Sequence, residues 1–488
     1  MGTNLRVVAG SVALICATAW SLNKNQSVDF AQDLNRNASV GIDAVFHNPA
    51  GVAFLPANGL YLGGGNQTVL ESRTIVEHSA ALSAYGPSEY KGDIRAWAFP
   101  TLHAAYRMDD LTFFVHGGPY GGGGVGEFDQ GLPKFDNLIL GFASQLAALA
   151  GPGVKASVDT TYQRQLAAAN IPGMHVTDSA TQQGLVYKRD LSFKGDEMTV
   201  GGTVGAAYKL MPTLSVSGAY RFSYARNAYT GTAKVSQLGV VYQGSKGLPA
   251  AGISGQSIDS TINANAESVM KSYWKDVSVD VVQTGMAHSV VFGADFKPDD
   301  SWNVGLRFEW NGELELTNET KTLVAPDGLV PFLQDYADGA KSKITEPMIL
   351  AGGVSFQGVR DLTLESSWTY GFYELVDRGG DEKEYRNSIF GGAGARYKVV
   401  PELELAVGYA HDWAFRNDAA RLETDFDQPT NFLTLGADFQ ASPRLRIKAG
   451  SMFGLRQDVH GVGVTGAPQD MSADMMVFGV GLEWSPAM

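Results

Sequence analysis

The chain of 488 residues holds one cysteine, Cys16, close to its start. A fold stapled by disulfides is thereby excluded. Beyond the extreme N-terminus there is no run of about 18 apolar residues, which excludes a bundle of transmembrane helices. Charged residues are sparse at 18%, and their balance is acidic, with a net charge of −14. A basic nucleic-acid binder does not look like this. A disordered chain does not carry 44% hydrophobic and 10% aromatic residues. The mean hydropathy is nevertheless only −0.08, so the apolar residues are dispersed rather than blocked. Length alone suggests about three soluble domains. The classes left standing are a large soluble β protein, a multidomain enzyme, and a barrel whose apolar residues alternate with polar ones.

Residues 1–19 read as a secretory signal peptide. Arg6 supplies the positive n-region, Val7 to Ile15 the apolar h-region, and Ala17-Thr18-Ala19 an A-x-A cleavage site. Cleavage there removes Cys16, leaving an exported chain without thiols. Ile15 stands where a lipoprotein signal wants a small residue, which argues against a lipid anchor on Cys16.

The body of the chain alternates with period two. Trp302, Val304, Leu306, Phe308 and Trp310 are interleaved with Asn303, Gly305, Arg307 and Glu309. Successive strand side chains point to opposite faces, so this pattern gives one apolar and one polar face. Leu403, Leu405, Val407 and Tyr409 repeat it, as do Leu362, Leu364, Trp368 and Tyr370, and Leu214, Val216, Tyr220 and Phe222. Short turns join these strands in pairs at Asp109-Asp110, Met211-Pro212, Lys297 to Asp300, Gln357 to Arg360, Val399 to Glu402 and Ala441 to Pro443. An aromatic stands before each turn: Tyr106, Tyr208, Phe296, Phe356, Tyr397 and Phe439. Between pairs lie longer polar segments, the longest at 126–196. With one strand before the pairs (Leu60 to Ile75) and one after (Met475 to Trp484), the count is about fourteen. The expected fold is all-β: a transmembrane antiparallel barrel over 59–488, with short turns and both termini on one side. Its even strand number leaves no edge unpaired in lipid.

Residues 20–58 lack the alternation, yet are too apolar to be a free tail. Their position suggests a hatch folded into the lumen. Within them, Asn48-Pro49-Ala50-Gly51-Val52-Ala53-Phe54-Leu55 resembles the NPAG-x-A-x-L motif of the FadL family. The resemblance spans nearly the whole chain. It implies an outer-membrane transporter for long-chain fatty acids or related hydrophobic compounds, a fourteen-stranded barrel, a hatch carrying Asn48, Pro49, Ala50 and Gly51, and a third strand kinked inward to open the wall. Pro100, opening the second strand, fits the same pattern. The third strand here is Leu111 to Val125, and its Gly117, Gly118, Pro119 and Gly121 cannot sustain a regular ladder. The chain departs from barrels generally in ending Trp484-Ser485-Pro486-Ala487-Met488 rather than on an aromatic.

No catalytic constellation stands out. The eight histidines show no HExxH spacing, no G-x-S-x-G elbow occurs, and neither metal nor other cofactor is expected. A general porin or structural barrel is the alternative, and further off a lipid hydrolase pairing a wall serine with His103 or His116. Ligand-binding candidates are the apolar residues Leu138, Ile139, Phe142 and Leu146 of a short helix over 135–150, capped by Asp136 or Asn137, with a second helix from Asp159 to Ala169. Arg221 and Arg307, on the polar faces of their strands, are candidates for an acyl carboxylate. The expected partners are long-chain fatty acids or other hydrophobic small molecules, outer-membrane lipid and the barrel assembly machinery, with no nucleic acid. The expected location is the bacterial outer membrane.

Overall fold

A computed structural model of the chain describes residues 27–85, 88–168, 181–243, 264, 267–268, 270–377, 385–413, 423, 428–462 and 468–486. The expected signal peptide, residues 1–19, lies outside these, as do residues 20–26 of the N-terminal segment.

Fourteen antiparallel strands close on themselves. In chain order they are β1 (Gly59–Glu77), β2 (Glu89–Met108), β3 (Leu111–Phe128), β4 (Thr181–Met211), β5 (Leu214–Gln243), β6 (Val277–Phe296), β7 (Trp302–Asn311, resumed as Glu313–Val324), β8 (Lys341–Thr345, resumed as Ile349–Val359), β9 (Leu362–Gly371), β10 (Ser388–Val400), β11 (Leu403–Trp413), β12 (Thr430–Ser442), β13 (Leu445–Arg456, resumed as Val459–Val462) and β14 (Pro468–Trp484). β1 pairs with β14 from Leu62↔Trp484 to Glu77↔Gln469, which completes the ring.

The alternation decides which face each residue takes. Trp302, Val304, Leu306 and Trp310 are exposed outward, while Asn303, Arg307 and Glu309 are buried inward. Such an apolar exterior suits hydrocarbon, and the polar interior suits a filled lumen. Tyr106, Tyr208, Phe296, Tyr397 and Phe439 stand exposed at the short-turn end as an aromatic rim. The tightest turns put Asp109 and Asp361 at positive φ (53° and 61°), a conformation aspartate tolerates better than most residues.

Two expectations change. β2 begins at Glu89 rather than at Pro100, so the proline sits mid-strand. β4 and β5, at 31 and 30 residues, run well into the expected loops. A bilayer needs only about 10 residues per strand, so their upper halves stand beyond it.

The N-terminal segment packs against the barrel's inward faces. α1 (Val28–Gln32) is capped by Ser27, whose hydroxyl accepts from the Phe30 amide at 3.1 Å. α2 (Ala44–His47) runs into a 3₁₀ turn, Pro49–Phe54, with Asn48 between them. A Cβ on Gly51 would lie 2.3 Å from the Ser39 carbonyl, so only glycine allows that approach. The Asn48 amide donates to Ser39 O at 3.2 Å and to the Asp295 carboxylate of β6. Ser215 of β5 donates to Ala50 O at 2.7 Å. The segment thus touches strands on all sides of the ring.

Above the barrel, α3 (Ala80–Ser83) and α4 (Pro133–Ala168) complete the helices used here. α4 is one helix where two were expected. It starts at Pro133, whose missing N–H costs nothing at a first helical position. Asp136 therefore lies inside the first turn and caps nothing. Its buried carboxylate accepts instead from Tyr90 (2.6 Å), Tyr187 (3.2 Å) and Arg189 Nε (2.8 Å), fastening α4 to β2 and β4.

Candidate functional site

Three features follow one another from outside inward. The first is an apolar cleft between α4, the upper ends of β4, β5 and β6, and the 3₁₀ turn Val330–Tyr336. Leu138 and Ile139 line it together with Phe193, Tyr229, Leu333 and Tyr336, and among the described residues no charged side chain does. Of the four candidates on α4, Phe142 and Leu146 pack behind this lining. The Phe142 ring lies 6.0 Å from that of Trp274 and fills the space beside Gly328, and Leu146 leans on the same apolar cluster. The Arg189–Asp136 pair is the anchor that holds the helix over the cleft.

The second feature is the lumen beneath. Arg221 of β5 and Arg307 of β7 are both buried and share Glu309, at 2.8 and 3.2 Å. Arg307 also donates to Phe46 O of α2. The Arg221 guanidinium lies 4.6 Å over the Tyr120 ring and 5.5 Å over Phe46, close enough for cation–π attraction. The two arginines therefore stand side by side, engaged with one carboxylate and two aromatic faces. His103 of β2 and His116 of β3 stack beside Phe46, ring centroids 4.8 Å apart, and meet Nδ1 to Nδ1 at 3.0 Å. Among the described residues neither histidine bonds to a serine, so the hydrolase pairing is not assembled. Farther toward the short turns, Arg36 bonds Glu365 (2.7 Å) and Asp43 (2.8 Å). Lys448 bonds Asp29 of α1 and, at 2.6 Å, Glu483 of β14. These pairs tie the N-terminal segment to the wall.

The third feature is in the wall itself. β2 and β3 pair from Met108↔Leu111 up to Leu102↔Gly117, and again from Arg95↔Val125 to Gly92↔Phe128. Between those stretches, residues 96–101 and 118–124 are not paired with each other. Local sequence explains both edges of this seam. On β2 the inward residues are Tyr90, Gly92, Ile94 and Ala96, then Phe99, Thr101 and His103. The phase flips because Trp97 and Ala98 both face outward, the mark of a bulge. Thr68 Oγ1 of β1 donates to Trp97 O at 3.0 Å, and Asn66 Oδ1 accepts from Phe99 N at 2.9 Å. Two outward polar side chains thus satisfy backbone groups that lipid cannot. On β3, Pro119 and Tyr120 are both buried in succession, so the strand turns inward there. Tyr120 hydrogen-bonds Thr203 at 2.7 Å. Gly122 and Gly124 take φ of +96° and +84°, where a side chain would be strained. Gly117, Gly118, Pro119 and Gly121 all stand at this seam.

Phe46, Tyr120, Phe193 and Tyr336 did not stand out as candidates. They work through contacts between distant parts of the chain, which no local spacing records. On β2 the sequence reading began at Pro100 and so left out the phase flip at Trp97-Ala98, the signal that would have marked the seam there.

No protein-family profile and no curated protein matches the chain. Solved structures do. A FadL homologue of Pseudomonas aeruginosa is 12% identical, with 95% of this chain and 99% of that one covered and a TM-score of 0.59. The toluene transporter TodX of Pseudomonas putida is 13% identical over 96% of this chain and all (100%) of that one, with a TM-score of 0.57. The toluene transporter TbuX of Ralstonia pickettii is 12% identical over 95% and 99%, at 0.51. At such identities the likeness is one of fold: the chain folds into the same fourteen-stranded barrel architecture as these proteins.

Proposed function

We propose that this barrel is an outer-membrane channel for passive uptake of hydrophobic small molecules, long-chain fatty acids first among them. The observation that carries the reading is the succession from an uncharged apolar cleft outside, through a filled lumen, to an unpaired stretch of wall at β2–β3. A molecule captured in the cleft gains about 0.8 kcal/mol for each methylene it buries. It then passes into the lumen and leaves sideways through the seam into lipid. In this reading residues 1–19 are a cleaved signal peptide, and residues 20–58 act as a hatch whose rearrangement admits the ligand. Asn48 and Ala50 hold that hatch to β6 and β5, while Pro49 and Gly51 shape the turn between them. Arg221 and Arg307 meet an acyl carboxylate only when Glu309 yields one of them.

The uncharged cleft lining favours a second substrate class beside fatty acids, the small aromatic hydrocarbons. Uptake of radiolabelled oleate and toluene by cells carrying or lacking the protein tests the function. Uptake of either above the empty-cell rate supports the channel. Conductance typical of an open pore, without hydrophobic uptake, would replace it with a porin.

A further inference from the structure

The apolar cleft borders a second hollow. Along β5 the cleft lining ends with Thr232 and Ala233. The next three residues, Lys234, Val235 and Ser236, line the hollow, together with Lys271, Trp274 and Asp276 from the segment before β6. The succession repeats there, Val277 belonging to the cleft and Asp276 to the hollow. The two cavities thus meet within one residue on each of two paired strands, a step of about 3.3 Å. Trp274 forms the corner between them: it is 8% exposed, and its ring packs on Phe142 behind the cleft. β5 runs away from the short turns and β6 back toward them, so the hollow lies on the outer side of the cleft.

Charge separates the two. Lys234 and Lys271 are exposed. Lys271 Nζ donates to Ser236 O at 3.0 Å, and Lys234 has no polar partner among the described residues. Asp276 brings the one carboxylate of this lining, and its Oδ1 already accepts from Trp274 Nε1 and from the Val235 amide, both at 3.2 Å. The neighbouring Lys275 pairs with Asp327 at 3.2 Å. Two ammonium groups against one carboxylate leave the hollow positive. The lumen arginines, Arg221 and Arg307, by contrast already share Glu309. A hydrocarbon in the cleft gains nothing from these lysines. An anion whose tail lies in the cleft gains charge-assisted bonds to them.

We propose that Lys234 and Lys271 form a head-group site at the outer edge of the cleft, where the anionic head of a dissolved amphiphile rests while its apolar tail lies under α4. This rests on the uptake reading above and adds the charge of the cargo and its direction of entry. Held at the outer edge by its head, the molecule points its tail at the barrel and enters tail first. The upper halves of β4 and β5 stand beyond the bilayer, so the head comes from solution rather than from a membrane lipid.

The test uses the full chain in phosphatidylcholine nanodiscs, with empty discs as blank, and three ligands sharing one tail: dodecanoate, dodecanol and dodecyltrimethylammonium. Binding should be tightest for dodecanoate and weakest for the cation. In Lys234→Met/Lys271→Met the preference for dodecanoate over dodecanol should fall about fivefold, what two exposed ion pairs supply. Raising salt from about 0.05 to about 0.5 M should erase the same preference in the native protein. Asp276→Asn, which keeps the accepting oxygen and removes the charge, should raise it. A preference unmoved by the lysine substitutions, or lowered by Asp276→Asn, overturns the head-group site while leaving the channel standing. Displacement of dodecanoate by phosphatidylglycerol built into the discs would make a membrane lipid the occupant and overturn it too. Binding of none of the three above the blank overturns the cleft, and with it the uptake reading. Both lysines are exposed, so the variants fold and each outcome reads on binding.

Discussion

β3 has two neighbours and treats them differently. Against β4 it keeps its ladder from Leu111↔Tyr208 to Phe128↔Phe193, absorbing two register shifts at Pro119 and Gly121. Against β2 it drops the ladder for 96–101 and 118–124. One step farther round, β4 and β5 stay paired from Met211↔Leu214 to Thr181↔Gln243. The same wall thus contains one seam whose ladder lapses, the open seam, and one whose ladder runs its whole height, the closed seam. Glycine content alone does not separate them, since β4 carries Gly201, Gly202 and Gly205 and still pairs. The open seam differs in combining a bulge on one strand, a proline on the other and two glycines at positive φ. Beside it, at the β1–β2 bulge, the Asn66 and Thr68 side chains bond the backbone of Phe99 and Trp97.

The sharpest way to break this contrast is to lock the open seam. A Cβ on Gly118 would lie 3.4 Å from Thr101 Cα, so the two positions are neighbours across the seam and are the pair to cross-link. The Thr101→Cys/Gly118→Cys protein, oxidised, should lose nearly all uptake of labelled oleate or toluene, and reduction should restore it. Full uptake through the oxidised protein would send the exit route elsewhere.

A next, smaller effect concerns the lumen side of the closed seam, where Arg221 of β5 donates to Thr203 of β4 at 3.2 Å and reaches on to β7. Arg221 projects from β5 to Glu309, and Arg221→Met would take one of its two buried arginines from that carboxylate. Breaking one side of a buried pair costs about 3 kcal/mol or more. The unfolding midpoint in denaturant should fall accordingly. A change under about 0.5 kcal/mol would show that water in the lumen already screens the pair.

Smaller again is a glycine comparison. Gly124→Val forces a branched side chain to φ +84° with the Arg95 carbonyl 2.6 Å away, and should destabilise by about 1–3 kcal/mol. Gly218→Val, in the closed seam, meets nothing within 4 Å and should stay within about 0.5 kcal/mol. Equal effects at the two sites would erase the distinction between the seams.

The slightest expected effect lies above the barrel, over β1. Glu423 is buried, and burial, with Glu77 adding to it, pushes its carboxyl up to about 7 against the bonds from Gln469 and the Lys134 amide. Such an acid is better protonated folded than unfolded. Its contribution is therefore complete below the ordinary carboxyl range and is lost as pH rises from about 4.5 to about 7. Hydrogen exchange of the Lys134 amide should quicken over that interval, and Glu423→Gln should flatten the dependence. An unchanged profile in Glu423→Gln would assign the titration to another group.

The wall was legible residue by residue, because period-two alternation reports directly on which face of a strand meets lipid. All six short turns and the closing strands could be placed that way. The seam was half legible: Gly117 to Gly121 marked β3, whereas β2 was cut short because Pro100 looked like a beginning. Pro100 is tolerated mid-strand at the level of the seam, where no ladder with β3 is asked of it. The cleft was legible only as an apolar helix. Leu138 and Ile139 face it, but Phe193, Tyr229 and Leu333 come from strands and a turn far along the chain, and only the closed ring brings them under α4. Arg221 and Arg307 were visible as inward cations. Their convergence on Glu309 depends on the stagger between β5 and β7, which alternation does not encode.

The length of β4 and β5 has one more effect, in distance. From Met211 to Leu191 is about twenty residues; at about 3.3 Å per residue and a tilt near 45°, Leu191 stands roughly 45 Å above the short turns. The hydrocarbon slab is only about 30 Å thick. In the proposed uptake, a solute held beside Leu191 would therefore sit some 15 Å clear of the acyl chains and be sorted in water, before touching the barrier it is to cross.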